Sequence, residues 1–349
     1  MPPTACSPLR NAHPEAGTAF AERGGLALVA SYGDPPGEYA ATLDGCGLVD
    51  LGERAVLVAS GPKRTDLLQG MLSNDVAGRR AGQGCQAAIL DAKGHVRFLL
   101  RTLVENETIR LETDRDRLEL LRRTLEHHRV AAPVEFERPP TGVLGLLGLG
   151  AGDLLRSLEM HPPTEPGDHA RTVLRDRPVL MARAGDLPGG GFVLHVLPED
   201  AAEVWATLRA AGARPVGRDV LDTRRIEEMR PWYGIDVSEE NLLHETGLLG
   251  ECHSPTKGCY VGQEVVARLE ARGANVSRAL RRLRLAAPSA PGARVRAAGA
   301  EVGWLTSAGT SPRYGPIAMG FVHRSHFAPG RELDVDGTRA TVVAVFDEG

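Results

Sequence analysis

The sequence predicts an α+β protein: two subdomains of mixed strands and helices, followed by a small β-barrel. Two observations carry this. Apolar runs of strand length alternate with helical periodicity twice, over residues 26–128 and again over 192–230. From about residue 280 the helical period gives way to short strands separated by Gly and Pro turns. The expected division is a flexible arm at 1–25, an α+β region at 26–279 and a barrel at 280–349.

Taken in order, residues 26–31 and 55–59 read as strands. Gly61-Pro62 opens a helix whose apolar face is Leu67, Leu68, Met71 and Leu72. Residues 86–90 and 96–104 form a hairpin turned by Asp91-Ala92-Lys93-Gly94, 108–112 adds a strand, and 115–128 is an amphipathic helix. Pro- and Gly-rich residues 133–188 read as a linker with one helical stretch. Strand 192–197 then leads to a helix with Asp200 as N-cap and Glu203 at capping-box spacing, ending at Gly212. A second helix spans 219–230 and stops at Pro231. The barrel strands are 280–285, 301–307, 316–322, 332–335 and 339–346, with Asp336-Gly337 as a hairpin turn.

Composition narrows the function. A net charge of −4 supplies no global field for nucleic acid or an anionic membrane, so direct contact with either is not expected. Five scattered cysteines, Cys6, Cys46, Cys85, Cys252 and Cys259, suit a reduced cytoplasmic protein, and none forms a C-x-x-C pair that would hold a metal. The longest apolar run, residues 142–152, is too short to span a bilayer. A monomer is the default. Only three of the 41 basic residues are lysines, which singles out Lys257.

The most informative stretch is Lys257-Gly258-Cys259-Tyr260-Val261-Gly262-Gln263-Glu264. Two glycines four apart imply a tight loop, and helical character follows over 263–272. Cys259 then sits ahead of a helix N-terminus and two residues after a lysine, a setting that favours a thiolate. Its alternative is a small buried residue beside a structural turn. Lys257 is either a solvated turn residue or the electrostatic partner of that thiolate. Gln263 and Glu264 in the first helical turn suit the helix dipole without a catalytic task.

This run resembles the signature of the YgfZ-type folate-binding family, within the aminomethyltransferase (glycine cleavage T-protein) superfamily, at every fixed position. Gly61-Pro62 through Leu68-Gln69-Gly70 to Ser73-Asn74-Asp75-Val76, the turn Leu90-Asp91-Ala92-Lys93-Gly94, and Arg225-Ile226-Glu227 with Pro231-Trp232-Tyr233-Gly234-Ile235-Asp236 resemble further blocks of that superfamily. The resemblance implies an aminomethyltransferase-like fold with a central tetrahydrofolate cavity. It also implies a role in assembling or repairing iron–sulfur clusters in client enzymes, including radical enzymes that modify tRNA, with activity dependent on Cys259. Two departures stand out. Gly94-His95-Val96-Arg97-Phe98-Leu99 lacks the aspartates that aminomethyltransferases carry there, and Gly191-Phe192-Val193 lacks an acid after the Gly-Phe pair. Both argue against ordinary aminomethyl transfer, which stands as the alternative function.

A pterin presents an amide-like donor edge that suits a carboxylate, and a glutamate tail that suits arginine. Glu227 is the candidate for the first, with an ion pair to an arginine on its own helix as the competing role. Arg225 or Arg230 is the candidate for the second. Asn74 and Asp75 either line the cavity mouth or form the turn after the preceding helix. Tyr260, beside Cys259, joins the cofactor-binding set, and Lys257 joins Cys259 in the catalytic one.

Overall fold

A computed structural model describes residues 5–7, 9, 19–23, 26–130 and 132–346. The first α+β unit is a five-stranded antiparallel sheet, in the order Gln83–Leu90, Val96–Val104, Thr108–Asp114, Arg54–Ser60, Glu135–Glu137. Side chains alternate between its faces. Leu57, Phe98, Leu100, Ile109 and Leu111 point to one side, where they pack with Leu68, Leu121 and Leu125 of helices Arg64–Met71 and Leu118–Arg129. The alternate positions include Arg54, Arg101, Glu112 and Asp114. Register sets Arg101 opposite Glu112 and Arg54 opposite Asp114, so opposite charges pair across the strands.

The second unit is a six-stranded sheet in the order His169–Leu174, Arg177–Arg183, Phe192–Val196, Gly142–Leu147, Gly47–Asp50, Arg214–Pro215. Its helices, Ala151–Ser157 and Ala201–Ala210, cover one face through Leu154, Leu155, Trp205 and Leu208, packed on Leu144, Leu146 and Leu194. Three of these strands lie within residues 133–188, so that stretch is part of the sheet and not a linker. Glycine misled that reading: Gly145 packs where an added Cβ would lie 3.0 Å from Leu51, so it serves close sheet packing rather than a loop. The expected capping box is also absent. Asp200 and Glu203 make no side-chain cap; Arg177 binds both, at 2.9 and 2.5 Å.

The faces of the two sheets not covered by these helices turn toward each other. Leu103, Leu180 and Ala182 form a small apolar cluster, and His195 Nε2 lies 2.7 Å from Glu112 Oε2 across the gap. The arm expected at 1–25 falls largely outside the described residues. Within it, Ala19–Arg23 pairs antiparallel with Leu26–Ser31 and Ala5–Cys6 pairs parallel with the same strand, so these segments belong to a sheet.

The C-terminal strands close into a six-stranded barrel: Arg278–Leu285, Gly315–His323, Ala300–Ser311, Arg294–Ala297, Glu332–Val335 and Thr338–Val343. Arg294–Ala297 escaped the sequence reading because at four residues, two of them arginine, it shows little apolar pattern. The Asp336-Gly337 turn holds, with positive φ of 49° and 83° at its two residues, as a tight hairpin requires. Helix Arg218–Glu227 docks on the barrel, burying Ile226 with Leu280, Ile317, Met319 and Phe321. Among the described residues no helix is long and apolar enough to cross a membrane.

Candidate functional site

Three of the sequence blocks, around 61–76, 90–94 and 257–264, converge in space. Helix Arg64–Met71 ends with carbonyls that have no partner within the helix. Lys257, only 8% exposed, reaches back to them: Nζ donates to Gln69 O at 2.7 Å, to Leu72 O, and to Asn74 O at 3.2 Å. An ammonium has three hydrogens, and three carbonyls meet them. Lys257 is therefore a C-terminal cap that fastens the loop to the helix, with its charge also 4.8 Å from the Tyr260 ring centroid. Burial draws its pKa down to about 8. Neither role considered from sequence describes this buried clamp.

Gly262 and Gly94 lock the loop against the hairpin. Gly262 has φ of +84°, and an added Cβ would lie 2.5 Å from Asp91 O. Gly94, at φ +81°, would meet Val265 of helix Gln263–Ala271 at 2.9 Å. Gly258 has open space around its Cα, so only the second glycine of the loop answers to close packing. Between these anchors Cys259 is exposed, whereas Cys46, Cys85 and Cys252 are buried. The buried alternative for Cys259 is thus excluded. Tyr260 packs under the loop with its phenol pushed up to about 12 by burial.

Asn74 and Asp75 belong to the same assembly. Asn74 Nδ2 donates to Gln86 O at 2.8 Å and Glu251 O at 2.9 Å, stitching the turn to the segment before the loop, and it lines a hollow with Arg79, Arg230 and His253. Asp75 accepts from Gln69 Nε2 at 2.9 Å. Arg230 stands at that hollow with NH1 2.6 Å from Glu251.

The other two candidates sit elsewhere, and both are consumed. Glu227 accepts from Tyr39 Oη at 2.8 Å and Ser311 Oγ at 2.5 Å, and pairs with Arg224. Arg225 binds Asp222 at 2.7 Å, Asp236 at 2.5 Å and Ser307 Oγ at 2.7 Å. They weld the helix to the barrel, and a buried carboxylate with three donors has little left for a pterin. For Glu227 the same-helix ion pair is the role the geometry shows.

A narrow cleft of about 60 Å³ opens between the facing sheets. Its lining combines the charged residues Arg54, Arg101, Glu112, Asp114, Asp186 and Glu251 with Leu99, Trp232, Tyr233 and Leu248. Glu112 is the hub. It bonds Arg101 at 2.5 Å, Arg54 at 3.1 Å and His195 at 2.7 Å, and Arg101 also holds Asp186. Burial alone would raise the Glu112 carboxyl, but Arg101, the His195 hydrogen bond and Arg54 hold it well below the usual range. Asp114 behaves oppositely: burial lifts its carboxyl despite Arg54 at 2.8 Å. Arg54, Arg101, Glu112, Asp114 and Asp186 were not singled out from sequence. The available signal was an arginine and two acids alternating with apolar residues in strands 96–104 and 108–114, too much charge for a face packed on another sheet.

A family model described as the GCVT N-terminal domain matches residues 9–253, and one described as the glycine cleavage T-protein C-terminal barrel domain matches residues 278–346. An aminomethyltransferase of Saccharopolyspora erythraea is 30% identical across 97% of this chain and 95% of its own. A putative chloroplastic transferase of Arabidopsis thaliana is 26% identical across 84% of this chain and 68% of its own. The crystal structure of the glycine cleavage system aminomethyltransferase T from Bartonella henselae shares the fold, with a TM-score of 0.89 over 99% of this chain and 98% of that one at 21% identity. The fold is aminomethyltransferase-like, mixed α/β with a closed barrel. The chain belongs to the GCVT (glycine cleavage T-protein) family.

Proposed function

We propose that this protein binds a tetrahydrofolate across the cleft between the sheets and the larger hollow that adjoins it, and acts in transfer of a one-carbon unit. One observation carries the reading: within the fold of a family whose relatives are named aminomethyltransferases, the cleft holds acids that the local sequence motifs lack. Arg97 pairs with Glu239 at 3.0 Å, and Val193 is buried in a core, so neither motif position supplies an acid. Asp114 and Asp186, from a strand end and a loop, stand in the cleft instead.

The lining fits the cofactor by its chemistry. Asp114 and Asp186 suit the donor edge of a pterin, and Trp232 and Tyr233 offer aromatic surface to its ring. Arg79 and Arg230, in the adjoining hollow that shares Gln86 and Glu251 with the cleft, suit a carboxylate tail. Bound folate would supply the amine that carries the one-carbon unit. The protein's part is to orient substrate, exclude water and move protons. Asp114 is suited to the last, because a carboxyl raised by burial keeps its proton nearer to neutral pH.

The test is a single turnover with an aminomethyl donor and tetrahydrofolate, followed by ammonia release. Folate-dependent ammonia release that drops at least about tenfold in Asp114→Asn supports the reading. Folate-independent release, or none, counts against it.

A second reading has its own support. The exposed Cys259, on a loop that matches the YgfZ-type signature and lies between the two family-matched ranges, favours a folate-binding factor for iron–sulfur client enzymes. Under that reading Cys259→Ser keeps fold and folate affinity but loses support of cluster-containing enzymes. Full client activity with Cys259→Ser would end it.

A further inference from the structure

A second hollow lies on the other side of the Glu112 network. It runs along the outer strands of the six-stranded sheet, and Arg110, Arg171, Pro140, Val173, Leu197 and His195 line it. Three features set it apart from ordinary surface. First, no Asp or Glu lines it, so the charge presented is that of its two arginines. Both guanidinium groups share a single carboxylate outside the lining: Glu105 lies 2.9 Å from Arg110 and 2.6 Å from Arg171. Two cations on one anion leave a net positive charge at the rim. Second, Val173 and Leu197 are 58% and 43% exposed, unusual for aliphatic side chains of that size on two neighbouring stretches of one hollow. Third, His195 is 4% exposed and uses Nε2 to hold Glu112, while its Nδ1 is buried without a partner among the described residues. A buried ring nitrogen in that condition suits a polar atom from outside the chain.

We infer that this hollow is a second ligand site, separate from the cleft, for a small carboxylate with an apolar body. The aliphatic and proline surface takes the body by burial from water. Arg110 and Arg171 take the carboxylate, which a guanidinium recognises through paired N–H donors. The claim does not depend on folate binding in the cleft, since the hollow and the cleft share no lining residue.

The experiment is calorimetric titration of the full chain with hexanoate, and with hexanamide as the uncharged isostere. Arg171→Gln and Leu197→Asp are the variants, because both side chains are exposed and neither belongs to the cleft. Their unfolding midpoints verify folding. Expected is hexanoate binding with Kd at or below about 5 mM, at least about tenfold weaker binding of hexanamide, and a similar loss in both variants. Equal affinity for hexanamide overturns the anionic assignment. Binding undiminished in both folded variants, or no hexanoate binding at about 20 mM, overturns the site.

Discussion

Replacing Lys257 by methionine separates a structural clamp from a catalytic lysine. The ammonium makes three hydrogen bonds to carbonyls of Gln69, Leu72 and Asn74. Hydrogen bonds to a charged group contribute about 1.5–3 kcal/mol each, so the three sum to roughly 4.5–9 kcal/mol. Against this stands the cost of burying the charge. Burial draws the Lys257 pKa down to about 8, so this cost offsets part of that sum. The difference predicts that Lys257→Met loses about 2–6 kcal/mol, since methionine keeps the apolar stem and leaves three carbonyls unmet. Urea unfolding followed by circular dichroism reads this as a lower midpoint with an unchanged slope. Lys257→Arg should recover only part, because a planar fork does not match three carbonyls around a point charge. If Lys257→Met is as stable as wild type within about 0.5 kcal/mol, the clamp is wrong.

Four further outcomes follow from the same geometry. Glu112→Ala leaves Arg101 and Arg54 buried without their shared anion and should cost about 3–5 kcal/mol in urea unfolding, whereas a loss below about 1 kcal/mol would show that the network does not stabilise the fold. Because the Glu112 carboxyl lies well below its unfolded value, its contribution is present above about pH 4.3 and disappears as pH falls through the folded value. The acid limb of the stability profile should therefore be shallower in Glu112→Gln, and parallel limbs would refute the linkage. Gly262→Ala forces a Cβ into left-handed backbone and against Asp91 O, for a loss of about 1–3 kcal/mol that Gly258→Ala should not share. Brief alkylation of the native protein, read by peptide mass spectrometry, should label Cys259 ahead of the buried Cys46, Cys85 and Cys252; comparable labelling of Cys252 would contradict the packing.

Sequence made the architecture legible wherever a period or a turn residue carried it. The Asp91–Gly94 hairpin, the amphipathic helix after residue 115 and the Asp336-Gly337 turn all stand where pattern placed them. It failed where glycine serves packing. Strand Gly142–Leu147 is buried on both faces, so it shows no alternation, and its glycines imitate a loop. For the site, the motif pointed to the right loop, but residue chemistry alone assigned the wrong work to several members. Lys257 looked like a partner for a thiolate because both lie in one loop; its actual partners are carbonyls 183 to 188 positions earlier in the chain, a distance no local reading crosses. Glu227 and Arg225 have the chemistry to bind a pteridine and its tail, yet tertiary packing aims them at the barrel. The charged cleft depends on two sheets meeting face to face, and that relation exists only in three dimensions.

The claim at the centre is that a reduced folate occupies the space between the two sheets. Calorimetric titration with tetrahydrofolate of wild type, Asp186→Asn and Glu227→Gln tests it most directly. Saturable binding is expected, weakened at least about tenfold by Asp186→Asn and changed less than about twofold by Glu227→Gln. Binding that survives Asp186→Asn intact but fails in a folded Glu227→Gln protein would place the folate elsewhere and contradict it.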